Sequence, residues 1–287
     1  MKVAITGASG YLGKNIINSL DRRNIEIIRL ERKLLYGDIK QLAAQISETD
    51  VIINLAGASI IKRWTSKNKA IIYNSRVLTT KNLVKAVNSL PHKCRPKTFI
   101  SVSAIGIYRE NLTHDETSSK YANHFAARVI DDWEDTLVDL PENTRRVIFR
   151  TGVVLGKESQ FINRLQSVFS LGLGGKIGSG NQPFPFIHID DLAKAFTEVI
   201  FNEKCIGIYN LVAPEQITNK TFTQIFAQKL NRPAVFTVPA FVLQIIYGKA
   251  SQLILKSPHV IPHRLEMHNF NFQYPTLEAC LSEILKE

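Results

Sequence analysis

Cysteine is scarce in this chain: Cys94, Cys205 and Cys280 are the three in 287 residues, and no two have CxxC spacing. An odd, widely spaced set excludes a disulfide framework, indicates no zinc site and fits a reducing compartment. Long apolar runs are missing as well. None reaches the roughly 18 residues of a membrane span, and the first residues lack the basic region, apolar stretch and cleavage site of a signal peptide. The expectation is a cytoplasmic protein with no membrane partner. Acidic residues are in deficit, 25 against 36 Lys and Arg, for a net charge of +11. The basic residues are scattered, densest at Arg22-Arg23, at 29–33 and at 93–97, so they do not form the stripe of a nucleic-acid footprint. They read as a solvated surface or as attraction for an anionic cofactor or substrate. No Asp and His cluster has metal-ligand spacing, so no metal is expected.

What is present is a composition of 45% hydrophobic and 21% charged residues, enough to bury a full core. Lys2-Val-Ala-Ile-Thr6 is a β-branched run that meets Gly7, and Leu12, Ile16, Ile17 and Leu20 then form one helical stripe. Further strands are expected at 25–30, 50–55, 99–103, 146–150 and 208–212. Helices are expected at 42–46, 67–89, 125–137, from Asp190-Asp191 as a cap to Ile200, and from Asn219 to Leu230. This alternation predicts an α/β fold, a doubly wound parallel sheet covered on both faces. Residues 172–180 are rich in glycine and are closed by Asn181-Gln-Pro-Phe-Pro185, which reads as a flexible loop over a site. Five prolines cut residues 231–287 into short pieces, suggesting a small C-terminal lobe.

Gly7-Ala-Ser-Gly10-Tyr-Leu-Gly13 is a GxxGxxG turn between strand and helix. The first glycine permits the sharp turn, the second lets backbone N–H groups approach a pyrophosphate, and the third lets helix and sheet pack closely. The helix dipole adds a favourable field for the phosphates. Glu31, 18 residues beyond Gly13, is placed to accept hydrogen bonds from ribose hydroxyls and argues for NAD. Its neighbour Arg32 is placed to meet a 2′-phosphate and argues for NADP.

These residues resemble the short-chain dehydrogenase/reductase superfamily in its extended, sugar-nucleotide epimerase form. Gly37-Asp38-Ile39 is similar to the adenine-contacting Asp motif, Asn54-Leu-Ala-Gly57 to the segment that ends the family's fourth strand, and residues 186–192 to a segment of extended members. More narrowly, the chain resembles an atypical branch of NAD(P)-dependent epimerases. The strings that carry this are Arg63-Trp-Thr65 with Lys67, Ser75-Arg76, Ser103-Ala-Ile-Gly106, Trp133-Glu134, Arg150-Thr-Gly-Val-Val-Leu-Gly156, Gly178-Ser-Gly180, Val260-Ile-Pro262 and Phe270-Asn-Phe-Gln-Tyr-Pro275. The resemblance implies a Rossmann-type domain at 1–155 plus 187–215 and a substrate lobe at 156–186 plus 216–287. It also implies NAD or NADP, with NADP favoured, at Gly7, Ser9, Gly10, Tyr11, Leu12, Gly13, Glu31, Arg32, Asp38, Ile39, Leu55, Ala56, Gly57, Arg76, Ser101 and Thr151.

In the superfamily a Tyr assisted by a Lys four residues on is the acid/base, and a Ser hydrogen-bonds the substrate oxygen. Ser103 stands where that Ser belongs, at the carboxyl end of a strand. The Tyr and Lys positions fall at Ala126 and Ile130, so both groups are missing, as in the atypical branch. Tyr121 is followed at the fourth place by Phe125 and is not a displaced copy. Tyr108, five residues after Ser103, is the nearest other acid. Arg76 replaces a structural Asn of the superfamily, and reads as an anion clamp or electrophile, or as a surface charge. Lys67, Arg63 and His188 are further anion-binding candidates, with His188 read as an interior histidine and Trp64 and Trp133 as packing residues. Two functions stay open: an NAD(P)-dependent oxidoreductase or epimerase acting on a small polar, possibly anionic substrate, and a non-catalytic NAD(P)(H) sensor or assembly factor. The oligomeric state is open between monomer and homodimer.

Overall fold

The computed structural model describes residues 1–21 and 25–286, so the Arg22-Arg23 pair lies outside the described residues. Its centre is a six-stranded, all-parallel sheet ordered Gly207–Leu211, Arg145–Thr151, Thr98–Ala104, Val51–Asn54, Lys2–Thr6, Glu26–Leu30. From Lys2–Thr6 the chain first moves outward to Glu26–Leu30, then crosses back to pair Val51–Asn54 on the other side. That reversal is the topological switch point, where open α/β sheets leave a crevice at the strands' carboxyl ends.

Two-residue periodicity divides the sheet between two cores. Ile5, Ile53, Ile100 and Phe149 face the helices Tyr11–Asp21 and Ile189–Phe201, packing with Ile16, Leu20, Leu192 and Phe196. Their alternates Ala4, Ile52, Phe99 and Ile148 face Ile39–Ile46 and Thr79–Ser89, with Leu42, Leu83 and Val87. Each such buried Leu, Ile, Val or Phe side chain contributes roughly 1.5–3 kcal/mol of burial. A third cluster stands apart and joins Leu155, Ile162, Phe169 and Phe186 to Phe222, Phe226, Leu277 and Leu281.

Val51–Asn54 is the third strand along the chain, and between it and Glu26–Leu30 the residues Arg32–Leu35 form a helical turn and Asp38 caps the helix Ile39–Ile46. Several expectations need correcting. The glycine-rich segment is not a free loop. Gly175–Ile177 pairs in parallel with Phe236–Val238, and the Ile177 amide donates to Asn219 Oδ1 at 2.8 Å. Asp190 is not the cap of the helix Ile189–Phe201. His188 is, its Nδ1 accepting the Asp190 amide at 3.2 Å. Asp191 instead accepts the amides of Gln273 and Tyr274 at 2.7 and 2.9 Å, fastening the C-terminal segment to the sheet domain.

Candidate cofactor and substrate site

The glycine turn has the geometry its spacing predicts. Gly7 adopts φ +65°, and a Cβ there would stand 3.0 Å from the Leu55 carbonyl oxygen. The Gly10 amide closes the turn on the Gly7 carbonyl at 2.9 Å. A Cβ on Gly13 would collide with the Gly7 carbonyl oxygen and the Ala8 backbone, so the helix seats here only without a side chain. Among the described residues, the amides of Tyr11, Leu12 and Gly13 have no acceptor. Unpaired amides at a helix start, beside the exposed Gly7, Ser9 and Gly10, form a cradle for phosphate oxygens.

The neighbouring loop is held from below. Thr6 Oγ1 donates to Asn54 Oδ1 at 2.8 Å and accepts the amides of Leu55 and Ala56 at 2.9 and 3.0 Å. Asn54 Nδ2 and Trp133 Nε1 both donate to Thr80 Oγ1 at 2.8 Å. The exposed Gly57 is thereby carried at the switch point. Ser101 is buried, its hydroxyl donating to the Val102 carbonyl, while Thr151 Oγ1 donates to the Ser103 carbonyl. At the end of the second strand Glu31 and Arg32 are both exposed, and Glu31 pairs with Lys33 at 3.0 Å. Asp38 Oδ1 accepts the Lys40 amide, and Ile39 opens that helix.

Ser103 is buried in an unforeseen network. Its hydroxyl donates to Glu134 Oε1 at 2.5 Å, and Arg150 grips the same carboxylate with Nε at 2.9 Å and Nη2 at 2.6 Å. Arg150 also donates to the hydroxyls of Tyr108 at 2.9 Å and Tyr121 at 3.1 Å. Burial opposes the Arg150 charge, but the bonds to and attraction of Glu134 outweigh it and raise the guanidinium pKa. Tyr108 donates onward to Asn210 Oδ1 at 2.9 Å, and the Asn210 amide donates to Glu116. Sequence reasoning missed Glu134, Arg150, Asn210 and Glu116 as partners. The available signal was a charged residue ending the buried run Val147-Ile148-Phe149-Arg150.

Tyr108 does not fit the acid role considered for it. The residue is 1% exposed, and burial pushes its phenol up to about 12 against the pull of Arg150. Ala126 and Ile130, at the missing Tyr and Lys positions, are buried on the helix Phe125–Asp135. Arg63 is exposed, and its Nε and Nη2 hold the carbonyls of Ile246 and Ile245 at the end of the helix Ala240–Tyr247. Lys67 is exposed. His188 is the interior histidine expected, its pKa lowered by burial against the pull of Asp190 and Asp191. Trp64 packs edge-on against Phe125, and Trp133 is buried. No three His, Cys, Asp or Glu side chains form a metal site among the described residues.

Arg76 lies within the helical run 66–89, on the π-helical turn Asn74–Leu78. Its Nη1 donates to the Ala58 carbonyl at 2.9 Å, and a Cβ on Gly57 would approach its guanidinium at 3.2 Å.

Residues 3–211 match the family model described as the NAD dependent epimerase/dehydratase family, and residues 238–284 match a C-terminal domain of unknown function, DUF1731. The chain belongs to the NAD dependent epimerase/dehydratase family. It is 34% identical to human epimerase family protein SDR39U1 over 294 residues, covering 99% of this chain and 100% of that one. It is also 29% identical to the chloroplastic homolog of that protein from Arabidopsis thaliana, covering 100% of this chain and 87% of the relative. A crystal structure of human SDR39U1 with NADPH superposes with a TM-score of 0.92 at 33% identity, covering 99% of both chains. The α/β Rossmann-like fold and NAD(P) binding follow from this membership, and no described helix is long and apolar enough to cross a membrane.

Proposed function

We propose that this family member binds NADP(H) in preference to NAD(H) across the switch point and exchanges hydride with a small polar substrate, without a Tyr-Lys pair. The observation that carries the reading is the set of unpaired amides at Tyr11, Leu12 and Gly13, over a turn that tolerates no Cβ at Gly13. The nicotinamide supplies or accepts the hydride. Gly7, Ser9, Gly10, Tyr11, Leu12 and Gly13 hold the pyrophosphate, with Leu55, Ala56 and Gly57 beside it. Asp38, Ile39, Ser101 and Thr151 frame the ends of the cofactor.

NADP is favoured because Glu31 is occupied by Lys33, which leaves the exposed Arg32 guanidinium available for a 2′-phosphate. The human relative's structure contains NADPH, which agrees. Ser103, whose one proton goes to Glu134, keeps lone pairs that accept from a substrate hydroxyl. The lobe at 156–186 plus 216–287 supplies the substrate's other walls, and the three free cysteines suit a reducing, cytoplasmic setting.

Fluorescence titration of NADPH and NADH against the parent and Arg32→Ala tests the cofactor reading. The parent should bind NADPH more tightly, and the variant should lose about tenfold for NADPH while hardly changing for NADH, as expected for one charge-assisted contact. Equal affinities in the parent would overturn the NADP preference. Hydride exchange with any of a panel of carbonyl compounds, lost in Ser103→Ala, would support catalysis. Tight binding without exchange across the panel would support a sensor instead.

A further inference from the structure

Two arginines flank the Trp133-Glu134 pair, and the fold treats them in opposite ways. Arg150 is neutralised by both oxygens of Glu134. Arg76 has no acid at ion-pair distance among the described residues. Its guanidinium is nonetheless fixed. Nη1 is bonded to the Ala58 carbonyl at 2.9 Å and lies 3.4 Å from that of Ile72, and Cζ stands 5.6 Å from the Trp133 ring centroid. Gly57 gives it room, since a Cβ there would come within 3.2 Å of Cζ and Nη2. Nε and Nη2 have no acceptor among the described residues. Burial draws the pKa down to about 10 with nothing opposing, yet the group stays cationic at neutral pH. The side chain is half-buried and its unbonded donors reach solvent, so the cation is open to an oxyanion and has no counter-ion of its own among the described residues.

The position says which ligand. Arg76 sits on a π-helical turn, a distortion that occurs frequently at functional sites. The 55–58 loop separates it from the glycine turn: Gly7 abuts Leu55, while Gly57 and Ala58 abut the guanidinium. The arginine is therefore displaced from the pyrophosphate cradle, along the carboxyl edge of the sheet, on the side of the strand that carries Ser103. We propose that Arg76 is the anion-binding residue of the substrate subsite, taking a carboxylate or phosphoryl oxygen pair through Nε and Nη2. The Nε/Nη2 edge presents two parallel donors, which suits a bidentate oxyanion and gives the substrate a defined orientation. The substrate class is then a small anionic carbonyl or hydroxy compound. This rests on the cofactor reading above, and the cofactor's own phosphates are the other source of the same chemistry.

Calorimetry at fixed ionic strength, with malonate and with inorganic phosphate as probes, separates the two. Parent, Arg76→Met and Arg76→Lys are each titrated with NADPH present and absent. At least one anion should bind the parent, weaken about tenfold or more in Arg76→Met, and fall between in Arg76→Lys, which keeps the charge but loses the fork. NADPH affinity should stay within about threefold of the parent in both variants, less than half a decade of binding constant. Anion binding that is absent from the parent, or equal in parent and Arg76→Met, would overturn the proposal. So would NADPH affinity that falls further than that, because the arginine would then serve the cofactor. If Arg76→Met does not fold, Arg76→Lys carries the comparison. A parent that binds malonate or phosphate through Arg76 but never binds NADPH sinks the cofactor reading and leaves this one standing.

Discussion

Glu134 accepts three hydrogen bonds from Ser103 and Arg150, and Arg150 is 1% exposed. Replacing such a buried pair with apolar groups is often neutral, whereas removing one partner strands the other's charge. Glu134→Leu should therefore destabilise the protein by about 3–5 kcal/mol in urea denaturation, and a loss under ~1 kcal/mol, the worth of an exposed pair, would show that the carboxylate matters little. His188 makes a second residue-scale prediction. Its Nδ1 accepts a helix-capping bond, which requires the neutral ring. Folding lowers its pKa, so on acidification the unfolded chain takes up the proton first. The stability contributed is whole above the ordinary histidine value of 6.5 and is lost as pH falls through it towards the lower folded value. His188→Asn keeps an acceptor for the cap without titrating there, so its stability between pH 7 and 5 should fall less than the parent's, and parallel pH profiles would contradict this. Asp191, whose pKa is raised by burial, acts in the opposite sense in the carboxylate range. At this scale the glycines and the missing Tyr-Lys pair were legible because their signals are local. The Ser103-Glu134-Arg150 link was not, because its members lie 31 and 16 residues apart.

Among the elements, the helix Tyr11–Asp21 has a strict steric requirement at its start. Gly13 lies against the backbone of Gly7 and Ala8, so Gly13→Ala forces helix and turn apart. Overpacking of this kind costs typically 1–3 kcal/mol. The variant should melt below the parent and bind NADPH at least about tenfold more weakly, a loss of 1.4 kcal/mol or more, whereas unchanged affinity would show that the turn does not seat the phosphates. The sheet strands could be read from sequence because β-branched runs between glycine and polar breaks leave few alternatives. The sequence predicts one regular helix at 67–89, because hydrophobic spacing does not reveal that Asn74–Leu78 widens into a π turn. Nor did the glycines at 172–180 disclose a strand, because its partner Phe236–Val238 lies some 60 residues on and pairing at that distance leaves no local trace.

On the scale of the whole molecule, two cores sandwich the sheet and a third lies to one side, with Asp191 reaching across to the amides of Gln273 and Tyr274. The proposed dinucleotide site lies at the sheet's switch point, so on this reading NADPH should stabilise the fold as a unit. At a hundredfold excess over Kd the gain is about 2.7 kcal/mol, readable as a rise in Tm. Hydrogen–deuterium exchange with and without saturating NADPH tests the central claim most directly, because it reports on the amides themselves. The account predicts that exchange at Tyr11, Leu12 and Gly13 slows markedly when NADPH is bound. NADPH binding with no change in exchange at those three residues would contradict it.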